Sequence, residues 1–215
     1  MNAAALLLVA AAAAPSPRAV LVDGVAALVE REVITRSDVD RAARVHLVRR
    51  GGDLGATRVS LEDGLRAAVM NLLVVEELVT QDCRRRQRFP ETDEKVQAYV
   101  NDLKAALGGD DAYQEFLRRL QMPENDLLDL ARREVRLDSA LAEVMAGPAP
   151  TDGDLEATAR ADAEFRALLK DKGTEAARAV LARRRGEARA VAHIDSLRNR
   201  TPVKLVARWS DAPGP

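Results

Sequence analysis

The sequence predicts a mainly helical protein closed by a small antiparallel sheet, and three observations lead there. Val25-Ala26-Ala27-Leu28-Val29 and Val33-Ile34-Thr35 read as strands flanking a charged triplet, Glu30-Arg31-Glu32, and so as a hairpin. Near the other end Pro202 stops a helix, and Val203 to Trp209 alternates as a strand does. Between them run apolar stripes at helical spacing. An isolated hairpin is marginal in water, so the terminal strand is its expected third member. That pairing would bring the two ends of the chain together.

The elements follow in order. Ser37 is the expected N-cap of a first helix, whose apolar positions (Val39, Ala42, Ala43, Val45, Val48) run up to Gly51-Gly52. Ser60 and Asp63 have the spacing of a capping box ahead of a long helix. Its face of Leu61, Leu65, Val69, Leu72, Leu73, Val75, Glu76 and Val79 is wide enough for a central helix contacted on several sides. Thr92 caps the next helix, with Val96, Tyr99, Val100, Leu103 and Leu107 as its stripe and Gly108-Gly109 as its stop. A short helix carries Tyr113, Phe116, Leu117 and Leu120. Pro123 then opens another that holds Leu127, Leu128, Leu130, Ala131, Val135, Leu137, Leu141 and Val144. Gly147-Pro148-Ala149-Pro150 is the clearest linker. A shorter helix through Phe165 and Leu168 ends at Lys172-Gly173, and a basic helix runs from about Thr174 to Arg200.

Composition narrows the class of function. Apolar residues make up 47% of the chain but aromatics only 3%, so the core must be Ala, Leu and Val in closely approaching helices. The 33 basic residues balance 34 acidic ones, which gives no bulk field to attract nucleic acid. Cys83 stands alone, which excludes an intramolecular disulfide and reads as a small half-buried apolar residue. His46 and His193 are far apart, with no Cys/His spacing to suggest a metal. The run Arg84-Arg85-Arg86-Gln87-Arg88 complements a helix C-terminus, with a docking patch for anionic lipid or an acidic ligand as the alternative. The arginines of the closing helix read in the same way, as a solvated face before a binding site. Met70, Met122, Met145, Tyr99, Tyr113 and Phe116 could face an apolar ligand but read first as core.

At the start, Ala3 to Ala14 is uninterruptedly apolar and Pro15-Ser16-Pro17-Arg18 breaks it. That is the length of a signal-peptide core, well short of the ~20 residues that span a bilayer. Cleavage after Ala13, or at a site up to Ala19, would leave an exported, unanchored protein.

The opening Val22-Asp23-Gly24-Val25-Ala26-Ala27-Leu28-Val29, followed by Val33-Ile34-Thr35-Arg36-Ser37-Asp38-Val39-Asp40, resembles that of SurA-type periplasmic chaperones. Leu72 to Leu78, Thr92 to Val96, Phe116-Leu117 ahead of Met122-Pro123, Leu130 to Val135, and Leu197-Arg198 with Val203 to Val206 continue the likeness over roughly residues 20 to 210. Three features depart from it. The Glu30-Arg31-Glu32 turn lacks a residue that readily takes positive φ, so a looser turn is expected. His193 stands where the family tends to place a tryptophan. Only about 25 residues separate Pro150 from the closing helix, too few for the parvulin-type prolyl isomerase domains of full-length members.

The resemblance therefore implies a SurA/trigger-factor-like chaperone core without an isomerase. Its expected organisation is a signal peptide over 1–19, an N-terminal chaperone domain over 20–146, a linker and short helix over 147–173, and a closing helix and strand over 174–210 that packs back on the N-terminal domain. The implied activity is ATP-independent holding of unfolded exported proteins in the periplasm, with outer-membrane β-barrel precursors as clients. The outer-membrane assembly machinery is a further partner it admits. No catalytic, cofactor-binding or metal-binding residue is assigned, and no client-binding residue can be singled out. The alternative is a non-catalytic envelope subunit that uses the same fold to dock one folded partner.

Overall fold

In a computed structural model that describes residues 23–51 and 53–209, the first strand of the chain is the middle strand of the sheet. The expected signal peptide lies outside the described residues. Strands β1 (Val25–Val29), β2 (Glu32–Thr35) and β3 (Val203–Leu205) lie in the order β2-β1-β3, both pairings antiparallel. Leu28 faces Val33 on one side and Lys204 on the other. The β1–β2 register shifts between Val25 and Ala27. There the Ala26 carbonyl accepts from the Val206 and Ala207 amides, at 2.9 and 3.0 Å. This irregularity limits β3 to three residues, shorter than the alternation up to Trp209 suggests.

The hairpin turn is tighter than expected. Only Glu30 and Arg31 lie between the paired residues Val29 and Glu32, and Glu30 adopts φ 54°. A non-glycine residue in that region is uncommon, and tertiary contacts hold this one. The Glu30 amide donates to the Pro202 carbonyl at 2.8 Å, and Arg85 reaches the Glu30 carboxylate at 3.4 Å.

Seven helices are described between β2 and β3: α1 (Arg36–Gly51), α2 (Asp63–Arg86), α3 (Asp93–Leu107), α4 (Asp110–Arg119), α5 (Glu124–Met145), α6 (Asp152–Ala161) and α7 (Ala163–Arg200). A 3-10 turn, Leu54–Thr57, follows α1. Several start signals differ from the sequence reading. Thr35, not Ser37, caps α1: its hydroxyl accepts from the Asp38 amide while the Asp38 carboxylate accepts from the Thr35 amide. Ser60 caps nothing. Glu62 is the N-cap of α2 without a side-chain bond, and Arg66 instead donates to the Leu61 carbonyl at 2.7 Å. Pro123 sits just outside α5, at its N-cap. Thr92 caps α3 as expected.

The region after Pro150 contains one more break than its periodicity suggests. Asp162 is extended (φ −121°, ψ 110°), ending α6 with its amide on the Thr158 carbonyl and capping α7 through the Phe165 amide. Gly173, at φ 81° and ψ 176°, then interrupts α7, where the sequence places a helix end.

Three apolar clusters result. One lies under the sheet, where Ala27, Val29, Ile34, Val39 and Ala43 meet Leu73, Val74 and Leu78 of α2 and Leu197 of α7. A second joins Val45 and Val48 of α1 to Leu103, Tyr113, Phe116 and Leu127 of α3, α4 and α5. A third gathers Leu155, Ala159, Phe165, Ala177 and Leu181 from α6 and α7. Helix α2 contacts both hairpin strands as well as α1, α5 and α7, and so is the central helix the sequence predicts.

Helix α7 meets the end of α5 at Gly186. A Cβ there would stand 3.2 Å from the Met145 carbonyl oxygen and 3.3 Å from the Met145 Cβ. Beside it, the Arg189 guanidinium donates to the last α5 carbonyls, of Val144 (3.2 Å) and Met145. Gly186→Leu should force these helices apart and lower stability by about 1–3 kcal/mol, measured by urea unfolding. An unchanged midpoint would mean that the crossing has slack.

Candidate functional site

A groove runs between the hairpin and the start of α1 on one side and α2 and α5 on the other. It consists of three recesses that all reach Arg133. One, of about 130 Å³, lies among Asp38, Arg41, Met122, Asp126 and Leu130. A second, also about 130 Å³, lies along β2 at Glu32, Val33 and Ile34, with Leu73 and Glu77 opposite. The third, about 310 Å³, continues past Thr80, Arg84, Asp129, Arg132 and Arg136.

The backbone explains why β2 borders an opening. It is an outer strand, with no strand described on its far side. A two-residue turn makes Val29–Glu32 a hydrogen-bonded pair, so the next pair, Leu28–Val33, is not bonded. The N–H and C=O of Val33 therefore point away from β1. Its side chain is 48% exposed.

Both signs of charge line the walls, and most of these charges are already engaged. Arg136 is held by Glu91 at 2.9 Å and by the Thr80 hydroxyl at 3.0 Å, with the Phe89 ring 5.5 Å from its guanidinium. Arg132 bonds Asp129 at 2.9 Å, and Arg84 lies 3.6 Å from Glu32 and 3.9 Å from Glu77. Arg133 is different: its Nε stops 4.0 Å from Oε2 of Glu76, beyond hydrogen-bond range.

Glu76 is the unusual group beneath it. The helical pattern counts it on the apolar face of α2, and the structure buries it to 3% exposure with no hydrogen-bond partner for Oε2 among the described residues. Burial pushes its pKa up to about 8; Arg133 opposes this, while Glu134, Asp138 and Glu77 reinforce it. Next to it, Glu134 accepts from the Tyr99 hydroxyl at 2.8 Å and pairs with Arg49, whose guanidinium lies 4.1 Å from the Tyr99 ring centroid. Burial and Glu134 also raise Asp138.

The residues singled out from sequence divide between core and surface. Met70, Tyr99, Tyr113 and Phe116 are buried, and Met145 is half-buried against Gly186. Met122 is buried yet lines the groove. The basic run is engaged within the chain: Arg85 with Glu30 and Thr201, Arg86 with Asp82, and Arg88 with Glu143. The arginines of α7 are stitches rather than a bare solvated face, since Arg178 bonds Asp152, Arg184 bonds Asp162 and Arg185 bonds Asp154.

Spacing alone misses one juxtaposition. Cys83, His193 and Asp82 line a small recess of about 60 Å³ between α2, α5 and α7. Burial pushes the thiol up and the imidazole down, which keeps both neutral near pH 7. That is the opposite of an activated thiolate–imidazolium pair. His46, also lowered by burial, lies in the field of Arg50, Glu134 and Arg49. Among the described residues no group of His, Cys, Asp and Glu is arranged to hold a metal ion, and no helix is long and apolar enough to cross a membrane.

No protein-family model matches the chain, and none of the curated proteins is significantly similar to it in sequence.

Glu76 sets a pH dependence. Its folded pKa of about 8 exceeds the ordinary 4.5, so between those values the folded state holds a proton that the unfolded state has lost. Stability must fall as pH rises through that window. Glu76→Gln should unfold at nearly the parent temperature at pH 5 and above it at pH 9, by roughly 2–4 °C for each kcal/mol regained. Equal melting temperatures at both pH values would show that Glu76 ionises without cost.

Proposed function

We propose that this protein is an ATP-independent envelope chaperone of the SurA core type, exported to the periplasm, that holds unfolded polypeptides and outer-membrane β-barrel precursors in particular. One observation carries the reading: a groove of mixed lining, in which Ile34, Leu73, Leu130 and Met122 lie among charges of both signs, runs beside an open strand edge that exposes Val33. Such a surface recognises main chain and apolar side chains in general, because little in it selects one sequence. The hairpin closed by a C-terminal strand, with helices between, agrees with the element order that suggested this family.

The energetics suit holding rather than trapping. At roughly 25 cal/mol per Å², removing ~300 Å² of apolar surface from water, most of it the client's own, gives about 7 kcal/mol gross. Association entropy and ordering of the client reduce this to weak, reversible affinity, on the order of micromolar. The sequence carries no Gly-x-x-x-x-Gly-Lys phosphate loop, so release is assigned to competition from folding or insertion. The alternative, a subunit that docks one folded partner through its arginine-rich run, has less support because those arginines already bond acids of the same chain.

The direct test is light scattering from a urea-unfolded barrel protein diluted with and without this chain. Suppression at near-equimolar ratio without nucleotide is expected. Val33→Pro blunts the strand edge while sparing the β1–β2 ladder, and should weaken suppression by about 3-fold or more. No suppression by the folded parent protein would refute the chaperone reading.

A further inference from the structure

Beside the groove, sharing only Arg41 with it, lies a recess of about 390 Å³ at the first turns of α1 and the end of α4. Four arginines line it (Arg36, Arg41, Arg44 and Arg119) against one acid, Asp40. In a chain of net charge −1 this is a pronounced local excess of positive charge. Even the acid is already engaged, because its carboxylate accepts from Arg66 Nε at 2.9 Å.

Three of the four guanidiniums are positioned by contacts that leave most of their donors unused. Arg44 spends one terminal nitrogen, Nη1, on the carbonyls of Ala56, Thr57 and Val59 at 3.0, 2.7 and 3.2 Å, which ties the loop after α1 to the helix. Arg119 gives its Nε to Glu115 at 2.5 Å. Arg36 lies 6.0 Å from the centroid of the Trp209 ring. A guanidinium carries five N–H donors in a fixed fork, so each of these retains a face for an oxyanion. Arg41 reaches no acid at ion-pair distance among the described residues, although its charge helps to lower the pKa of nearby Asp23. Ser37 adds a hydroxyl at the rim.

We propose that this recess is a binding site for a phosphate group, carried either by a small soluble ligand or by the headgroup of an anionic phospholipid. Arginine forks match the tetrahedral oxyanion bidentately, which a lysine patch would not. The lining supplies too little apolar surface for a hydrophobic ligand, Leu120 being its one large apolar residue.

The full chain tests this at low ionic strength in two arms: calorimetric titration with inorganic pyrophosphate, and co-sedimentation with vesicles of phosphatidylglycerol in phosphatidylcholine against phosphatidylcholine alone. Arg41→Gln with Arg119→Gln should weaken the interaction about 10-fold or more, and Arg41→Lys, which keeps the charge but loses the fork, should weaken it measurably. Arg183→Gln, whose side chain pairs along α7 with Glu187, should leave it unchanged. Circular dichroism checks that each variant is folded. Saturable pyrophosphate binding with this pattern supports the site and a soluble ligand. Binding confined to anionic vesicles with the same pattern supports it and assigns the headgroup. No binding in either arm, or binding that the double variant and Arg183→Gln alter equally, overturns the proposal.

Discussion

The structure depends on β1 being paired on both sides, once with the strand that follows it and once with the last strand of the chain. Two-stranded ribbons are marginal, so the hairpin's stability rests on β3, some 170 residues away. The link is more than a ladder. Pro202 supplies the carbonyl that holds the strained Glu30, and the Ala26 carbonyl takes two amides from the segment after β3. Leu197, at the end of α7, is fully buried beneath β1. Every helix between the strands is therefore enclosed within a loop that closes on itself, and α7 must arrive in register before the hairpin has its third partner.

That requirement accounts for the density of polar contacts along α7. A helix as basic as this one would be free to shift if only its Ala and Leu stripe held it. Arg178, Arg184 and Arg185 instead reach acids in α6 or at its two ends, and Arg189 caps the carbonyl end of α5. Each exposed pair contributes little by itself. Their value is geometric: carbonyl and carboxylate partners at fixed positions select one rotation and one translation of the helix. Gly186, at the same crossing, allows the close approach that brings Arg189 within reach.

Apolar periodicity made most of this architecture legible. The stripe of α3 is buried residue for residue, that of α4 is buried except for the half-buried Leu120 at its C-cap, and the hairpin and a shortened closing strand pair antiparallel as expected. What stayed hidden has identifiable causes. Glu30 accepts positive φ because of Pro202 and Arg85, partners that no local window contains. Ser60 and Asp63 have the spacing of a capping box, but α2 starts two residues later than that spacing implies, with Glu62 as its N-cap and Arg66 bonded to the Leu61 carbonyl. Thr35 was hidden as a cap because it also ends a strand. The charges of α7 looked like a solvated face because their acids lie 22 to 31 positions away. The groove was invisible for the same reason: Val33, Leu73 and Arg133 meet only once three separate elements are assembled.

Glu76 and Arg133 show how burial and electrostatics can work against each other at such a site. In water a carboxylate and a guanidinium this close would pair. Here Glu76 is removed from solvent beneath the groove, and three further carboxyls, Glu77, Glu134 and Asp138, raise the cost of charging it. It remains protonated near neutral pH and cannot cancel the arginine. Arg133 consequently keeps its charge at the point where all three recesses meet, while most of the neighbouring charges are neutralised by their own partners. On the proposed reading, a chain lying in the groove would meet Arg133, with Arg41 further along, beside an open strand edge. On that reading the combination would favour an extended backbone, with carbonyl oxygens for Arg133 and amides for the carbonyl of Val33. It would offer a folded surface much less, because a folded surface has already satisfied those groups internally.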